Sequence, residues 1–294
     1  METEKIRVMW FVPPLLAIVA RQEEQAMTVE ATRNRSSDEQ FDALVAGDVD
    51  AVVTSMDNVI GWNGREGQRD FRVVAQIERT TPLTLVAQPQ WRKLSDLRGT
   101  NLLVDATGNG FVVALRAMLR EAGIETIIET GIEPGAVRLT PAGGVKERFD
   151  ALMAGQGDAT LLGPPFDSMA AASGLTRIAS VQDSYPDFPG QGVVVRTGSK
   201  ASPKVATWLR TLEQARRRVG ENGELARPAV LAAGLPAAAA DAMIALNPDS
   251  LHPSRAGVAL LVAHRRALGL VGADNDYSTI VDDSMIGKCT GEAR

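Results

Sequence analysis

Apolar and polar positions follow two periods along the first two-thirds of the chain. Short runs rich in β-branched and apolar residues at 5–11, 27–31, 52–54, 71–77, 83–87, 101–105, 137–140, 160–162, 177–179 and 192–196 read as strands, several of them apolar on both faces. Between them, apolar residues recur at helical spacing over 15–25, 38–46, 57–64, 110–122, 145–154 and 166–173. Strands alternating with helices predict mainly parallel sheets. From Ser202 onward the pattern turns helical, over 203–219, 226–233, 237–245 and 253–268, punctuated by Gly220, Gly223, Gly234 and Pro248. That block is expected to pack back on the first lobe.

One internal repeat organises the pattern. The segment at 41–51, FDALVAGDVDA, returns at 149–159 as FDALMAGQGDA, an offset of 108 residues, and the two differ only at their fifth, eighth and ninth positions. Each copy reads as the end of an amphipathic helix, a Gly suited to the left-handed position just past it, then an Asp leading into an apolar strand. So large an offset rules out a solenoid and predicts two α/β lobes that use the same helix-to-strand joint.

Bulk properties exclude several classes. The 294 residues suit two lobes of ordinary size, and 45% hydrophobic with 23% charged residues suits a globular chain. A net charge of −5, with no basic run beyond Arg216-Arg217-Arg218, gives no footprint for nucleic acid. Cys289 is the single cysteine, and no His, Cys or carboxylate cluster has metal-ligand spacing, so neither a disulfide framework, a metal nor a cofactor is expected. The apolar run from Val8 to Ala20 resembles a secretory leader, but Pro13 and Pro14 interrupt it and Glu2 and Glu4 spoil a basic start. It reads as mature structure, which predicts a cytoplasmic protein as written and a periplasmic one if a leader has been removed. No run is long and apolar enough for a membrane span.

Several motifs resemble a known family. They are the opening Lys5-Ile6-Arg7-Val8, the two repeated joints, Leu94-Ser95-Asp96-Leu97-Arg98-Gly99 before 101–105, Gly108-Asn109-Gly110-Phe111, and Leu115 to Leu119 followed by Gly123-Ile124. Together they are similar to the type II periplasmic binding proteins of the taurine, sulfonate and nitrate group, which also contains thiamine-pyrimidine-precursor binding proteins and synthases. The cysteine-rich motif of those synthases is missing here. The resemblance implies an α/β, two-lobed fold of mainly parallel sheets with one inserted lobe and a C-terminal helical block. It implies residues 1–87 and 198–294 in lobe 1 and 88–197 in lobe 2, with hinges at Gln88-Pro89 and Arg196-Thr197-Gly198.

In open α/β sheets, ligands bind beyond the carboxyl ends of the strands. That rule selects four loops. Trp10 after the opening strand offers an aromatic face, although it suits the core equally well. Thr54, Ser55, Met56, Asp57 and Asn58 place hydroxyl and amide groups before a helix, where Ser55 or Asp57 would also serve as a plain N-cap. Asp105, Thr107, Gly108, Asn109, Gly110 and Phe111 form a Gly-rich turn into a long helix, without the pattern of a nucleotide site. Gly163, Pro164, Pro165 and Phe166 supply rigid apolar wall. Asp183, Tyr185 and Phe188 precede the returning strand and are candidates to close over ligand. His264-Arg265-Arg266 reads as a solvated helix face.

These features predict reversible binding of a small organic solute, anionic or amide-bearing, buried by hinge closure. An ABC-transporter permease is the expected partner if the protein is exported. The alternative is a cytosolic enzyme on the same fold, a decarboxylase, dehydratase or hydrolase acting on a small carboxylate-like substrate. In that case Asp57, then Asp105, is the expected general acid or base.

Overall fold

The computed structural model describes residues 4–21, 27–108, 110–128, 134–198 and 202–286. The chain begins with β1 (Glu4–Trp10), α1 (Leu15–Ala20), β2 (Met27–Arg33), α2 (Ser37–Ala46), β3 (Ala51–Ser55), α3 (Asp57–Asn63) and β4 (Phe71–Gln76). It continues through β5 (Thr84–Ala87), β6 (Asn101–Val104), α4 (Val112–Glu121), β7 (Thr126–Ile127), β8 (Val137–Pro141), α5 (Val145–Met153), β9 (Ala159–Leu162), α6 (Phe166–Ala172), β10 (Thr176–Ser180) and α7 (Val181–Ser184). The strand β11 (Gln191–Arg196) precedes the helices α8 (Ser202–Glu221), α9 (Ala226–Ala232), α10 (Ala237–Ile244), α11 (Arg255–Ala267) and α12 (Tyr277–Ile280). The pattern-derived strands and helices recur with shifts of a few residues at their ends, while positions 22–25, expected in the first helix, lie outside the described residues. The sequence reading missed the short β7, α7 and α12.

Two sheets form the two lobes. The first has the order β2-β1-β3-β11-β4, and the second β10-β5-β9-β6-β8-β7. Each is parallel except around one strand: β11 runs antiparallel to β3 and β4, and β5 runs antiparallel to β9 and β10. These two strands follow the chain's crossings between sheets. The crossings occupy 77–83 and 181–190, which corrects the expected boundaries at 87/88 and 197/198. Residues 84–87 belong to the second sheet and 191–196 to the first, because backbone pairing assigns them there. A crossing strand carries the same apolar pattern in either sheet, so the pattern alone does not locate the exchange.

The repeat is structural as well as textual. Gly47 and Gly155 end their helices at φ 74° and 70°. Asp48 N donates to Ala43 O and Gln156 N to Ala151 O, both at 2.9 Å, closing each helix with the same six-residue turn. Asp50 Oδ2 then accepts from Arg7 N, and Asp158 Oδ2 from Asn101 N, both at 2.8 Å. The carboxylate of each joint thus pins the start of its strand to the neighbouring one.

Alternation along β1 divides the core. Ile6, Val8 and Trp10 face one side with α1, Trp208, Leu209 and Leu212, whereas Met9 faces the other. The six residues of α1 are all buried, which explains why this run reads as a leader: it is a helix enclosed by the sheet, α8 and α9. The second cluster is continuous across both lobes, joining Val52, Trp62 and Phe71 to Leu102, Val113 and Leu115 through Val258, Leu261 and Val262 of α11. The helical block therefore packs on lobe 1 through α8 and α9, as expected, while α11 also packs on α4 of lobe 2. No helix among the described residues is long and apolar enough to cross a membrane.

A Cβ at Gly47 or Gly155 would meet nothing within 4 Å, so Gly47→Ala and Gly155→Ala test backbone conformation alone. Each should cost about 1–2 kcal/mol. Urea unfolding should show this as a lower midpoint with an unchanged slope.

Candidate functional site

Strand polarity places one edge of each sheet against the other. The carboxyl ends of β1, β3 and β4 deliver Phe11, then Thr54 and Ser55, then Glu78. Because β11 is antiparallel to β3, its amino end delivers Gln191 to the same edge. In the second lobe the carboxyl ends of β6 and β9 deliver Asp105, Gly163 and Pro164, and the amino end of β5 delivers Leu83. Helix α5 adds Val145 and Arg148, one helical turn apart on one face. These groups, with Asn58, Gly110, Phe111 and residues of the α10 end, enclose a cavity of about 110 Å³. A single water requires roughly 10–15 Å³, so the space suits a small organic molecule.

The polar groups of the wall are mostly held in place. Asn58 Nδ2 donates to Thr54 Oγ1 at 2.7 Å. The Glu78 carboxylate accepts from Gln191 Nε2 at 2.9 Å and from Gln191 N at 3.2 Å. Arg148 Nη1 lies 3.3 Å from Asp105 Oδ1, and the guanidinium also donates to Gly143 O and Leu161 O. Burial pushes the Glu78 carboxyl above the usual range, with the Gln191 donors working against it. Burial pushes Asp105 up as well, opposed first by the charge of Arg148. Among the described residues, no group of three or more His, Cys, Asp or Glu is placed to hold a metal ion.

The expected site residues divide into three groups. Thr54, Ser55, Asn58, Asp105, Gly110, Phe111, Gly163 and Pro164 line the cavity. Trp10, Met56, Asp57, Thr107, Gly108 and Tyr185 do not, and Asn109 lies outside the described residues. Trp10 is buried in the core on the α1 side, and Phe11, one position further and past the end of the strand, reaches the cavity instead. Met56 is fully buried in the core shared by the lobes. Tyr185 stacks edge-on against His264 at 4.5 Å, and Phe188 is fully buried nearby.

Asp57 has a role that the sequence reading missed. It is fully buried and opens α3, where Arg265 Nε and Nη2 reach Oδ1 and Oδ2, each at 2.7 Å. Gly110 N, from the other lobe, donates to the same Oδ2 at 2.8 Å. Arg265 continues to Val271 O at 2.7 Å and to Gly108 O at 3.4 Å. An Asp enclosed by these donors offers no surface to a substrate, so the acid–base role expected of it has no geometry. The expectation of a solvated face at 264–266 holds for Arg266, which is exposed, and is corrected for the other two: His264 is buried and Arg265 is 0% exposed. A guanidinium is buried there because a carboxylate and three carbonyls satisfy it.

Glu78, Gln191, Arg148 and Phe11 are among the wall residues that the sequence reading did not single out. The carboxyl-end rule applies to Glu78, which directly follows the apolar run of β4. Gln191 escapes that rule because only an antiparallel strand brings its amino end to this edge.

Two outcomes check this arrangement. Arg265→Ala leaves Asp57 buried without its partner and should cost about 3–5 kcal/mol in denaturant unfolding, while Asp57→Leu with Arg265→Met recovers most of that loss. For Glu78, a folded pKa above the unfolded one favours the fold below the ordinary glutamate range, and the advantage is lost as pH rises through the raised value. Glu78→Gln should therefore raise the Tm of the unliganded protein by a few degrees near neutral pH and leave it unchanged in acid.

No protein-family model matches this chain, and no curated protein matches it in sequence. Solved structures do match. One is the ligand-binding component of an ABC-type import system from Staphylococcus aureus with zinc bound, at TM-score 0.77 and 12% identity, covering 99% of this chain and 100% of that one. A second is the alkanesulfonate-binding protein SsuA from Xanthomonas axonopodis pv. citri bound to MOPS, at TM-score 0.71 and 17% identity over 92% and 93% of the two chains. A Candida albicans gene product described as having the generic periplasmic-binding-protein fold matches at TM-score 0.68 and 13% identity over 99% and 95%. Identities this low speak for the fold alone. With two lobes joined by crossing segments and a cavity where their strand ends meet, the chain has the periplasmic-binding-protein fold.

Proposed function

We propose that this protein binds a small organic solute reversibly in the cavity between its lobes. The observation that carries the reading is the make-up of the wall. Thr54, Ser55, Glu78 and Gln191 come from the first lobe and Asp105, Phe111, Arg148 and Gly163 from the second, so a ligand touching both walls favours their approach. The crossing segments 77–83 and 181–190 are the hinges in this reading, and lobes 1 and 2 are divided there. Neighbouring structures that are components of ABC-type importers support solute binding as the use of the fold. The same likeness favours a periplasmic setting with an ABC-transporter permease as partner.

The enzymatic alternative gains nothing from Asp57, which is enclosed, and Asp105 spends its charge on Arg148. Apolar walls, polar groups held by neighbours and a hinge suit holding a molecule rather than transforming it.

The test is thermal shift against a panel of small sulfonates, carboxylates, amides and amines, with mass spectrometry of each stabilising compound after incubation. At least one should raise the Tm by several degrees, be recovered unchanged, and lose its effect in Val145→Trp, which fills the cavity from the α5 wall. Conversion of the compound, or an equal shift in the filled variant, contradicts the reading.

A further inference from the structure

The charges in the cavity wall are unevenly paired. Of its lining side chains, Glu78, Asp105 and Arg148 carry charge. Arg148 faces Asp105, and its Nη1 and Nη2 donate to carbonyls of their own lobe, Gly143 O at 3.3 Å and Leu161 O at 3.2 Å. The start of α5 lies beside it, but Glu147 in the first turn already answers that helix end with its carboxylate. The helix end is thus answered within the protein, and Arg148 is held to its own lobe, with its Nε alone left without a hydrogen-bond partner among the described residues.

Glu78 is in the opposite condition. Its oxygens accept from Gln191 alone, and no Lys or Arg among the described residues neutralises it. Each carboxylate oxygen has room for about two hydrogen bonds, so both retain a vacant lone pair. The Ser55 hydroxyl is an independent sign of a missing group: it lines the same cavity, is 3% exposed, and Oγ has no hydrogen-bond partner among the described residues. Phe11 and Phe111 add aromatic wall from the two lobes. A partly buried carboxylate without a counter-charge is costly, and a cation entering the cavity removes that cost, whereas an anion adds repulsion from Glu78.

We infer, building on the binding reading above, that the cavity selects a small organic cation: a protonated amine or amidine on an apolar frame, with Glu78 as its counter-ion. Ser55 Oγ accepts a further N–H from the head group. Phe11 and Phe111 cover the frame. The same cation reverses the effect of burial on Glu78, drawing its carboxyl back toward the ordinary range.

Probes of matched size separate charge from shape. Isothermal titration should compare benzylamine and benzamidine with benzoate and benzenesulfonate, and with neutral benzamide and benzyl alcohol. The cations should bind at least tenfold more tightly than their anionic and neutral counterparts. In Glu78→Gln that preference should fall to threefold or less, with the circular dichroism spectrum retained. Tighter binding of the anions, or equal binding of all three classes, overturns the assignment of a cation while leaving solute binding in place. A preference for cations that survives in Glu78→Gln overturns the counter-ion role. Absence of a shift from every compound of the broader panel removes the binding reading itself, and this inference with it.

Discussion

The contact between Asp57 and Arg265 is the constraint from which the arrangement of the lobes follows. A fully buried carboxylate and guanidinium meet through two bonds of 2.7 Å, and a backbone N–H of the second lobe completes the set. Such a pair is expensive to desolvate, so it persists only where the surrounding structure satisfies its remaining donors. Here Arg265 also reaches carbonyls at Gly108 and Val271, which ties α3, the loop before α4 and α11 to one point. Arg120 of α4 donates in turn to Ala267 O at the end of α11. The last third of the chain is therefore a brace across both lobes, and the apolar core runs through it without a break.

With one side braced, the lobes meet along their strand ends. Parallel strands bring their carboxyl ends to one edge, and the two antiparallel strands reach that edge with their amino ends. The groups gathered there are consequences of chain direction: Ser55 and Glu78 end parallel strands, and Gln191 begins the strand between them. The Gln191 amide and backbone N–H hold the Glu78 carboxylate, so the crossing strand both connects the lobes and orients a charge in the cavity. In the proposed reading, hinge and binding group are thus neighbours, which would give occupancy of the cavity a direct mechanical connection to lobe position.

Much of this was legible in the sequence, for identifiable reasons. The repeated joint was visible because its Gly and Asp each do one local job, a left-handed turn and a pin on the adjacent strand. Part of the cavity wall followed from the rule that strand ends carry ligand groups. The sheet exchange was not legible, because a short strand buried on both faces has the same composition in either lobe. Trp10 and Phe11 illustrate a one-residue limit, since the end of β1 decides which ring enters the core and which the cavity. Arg265 was hidden for another reason: beside His264 and Arg266 it has the pattern of a solvated face, and only its distant partner Asp57 reveals that it is enclosed.

The chain shares its fold with an alkanesulfonate-binding protein and with a ligand-binding component of an ABC-type import system, and its own residues give the cavity a carboxylate with no basic partner among the described residues on one wall and an arginine paired with Asp105 on the other. The central claim is that a ligand head group bridges this gap at Glu78. A crystal structure of the protein with benzylamine tests it most directly. The account predicts the ammonium within hydrogen-bonding distance of the Glu78 carboxylate, the ring between Phe11 and Phe111, and the Asp57–Arg265 pair intact. An amine bound outside the cavity, or turned within it toward Asp105 and away from Glu78, would contradict it.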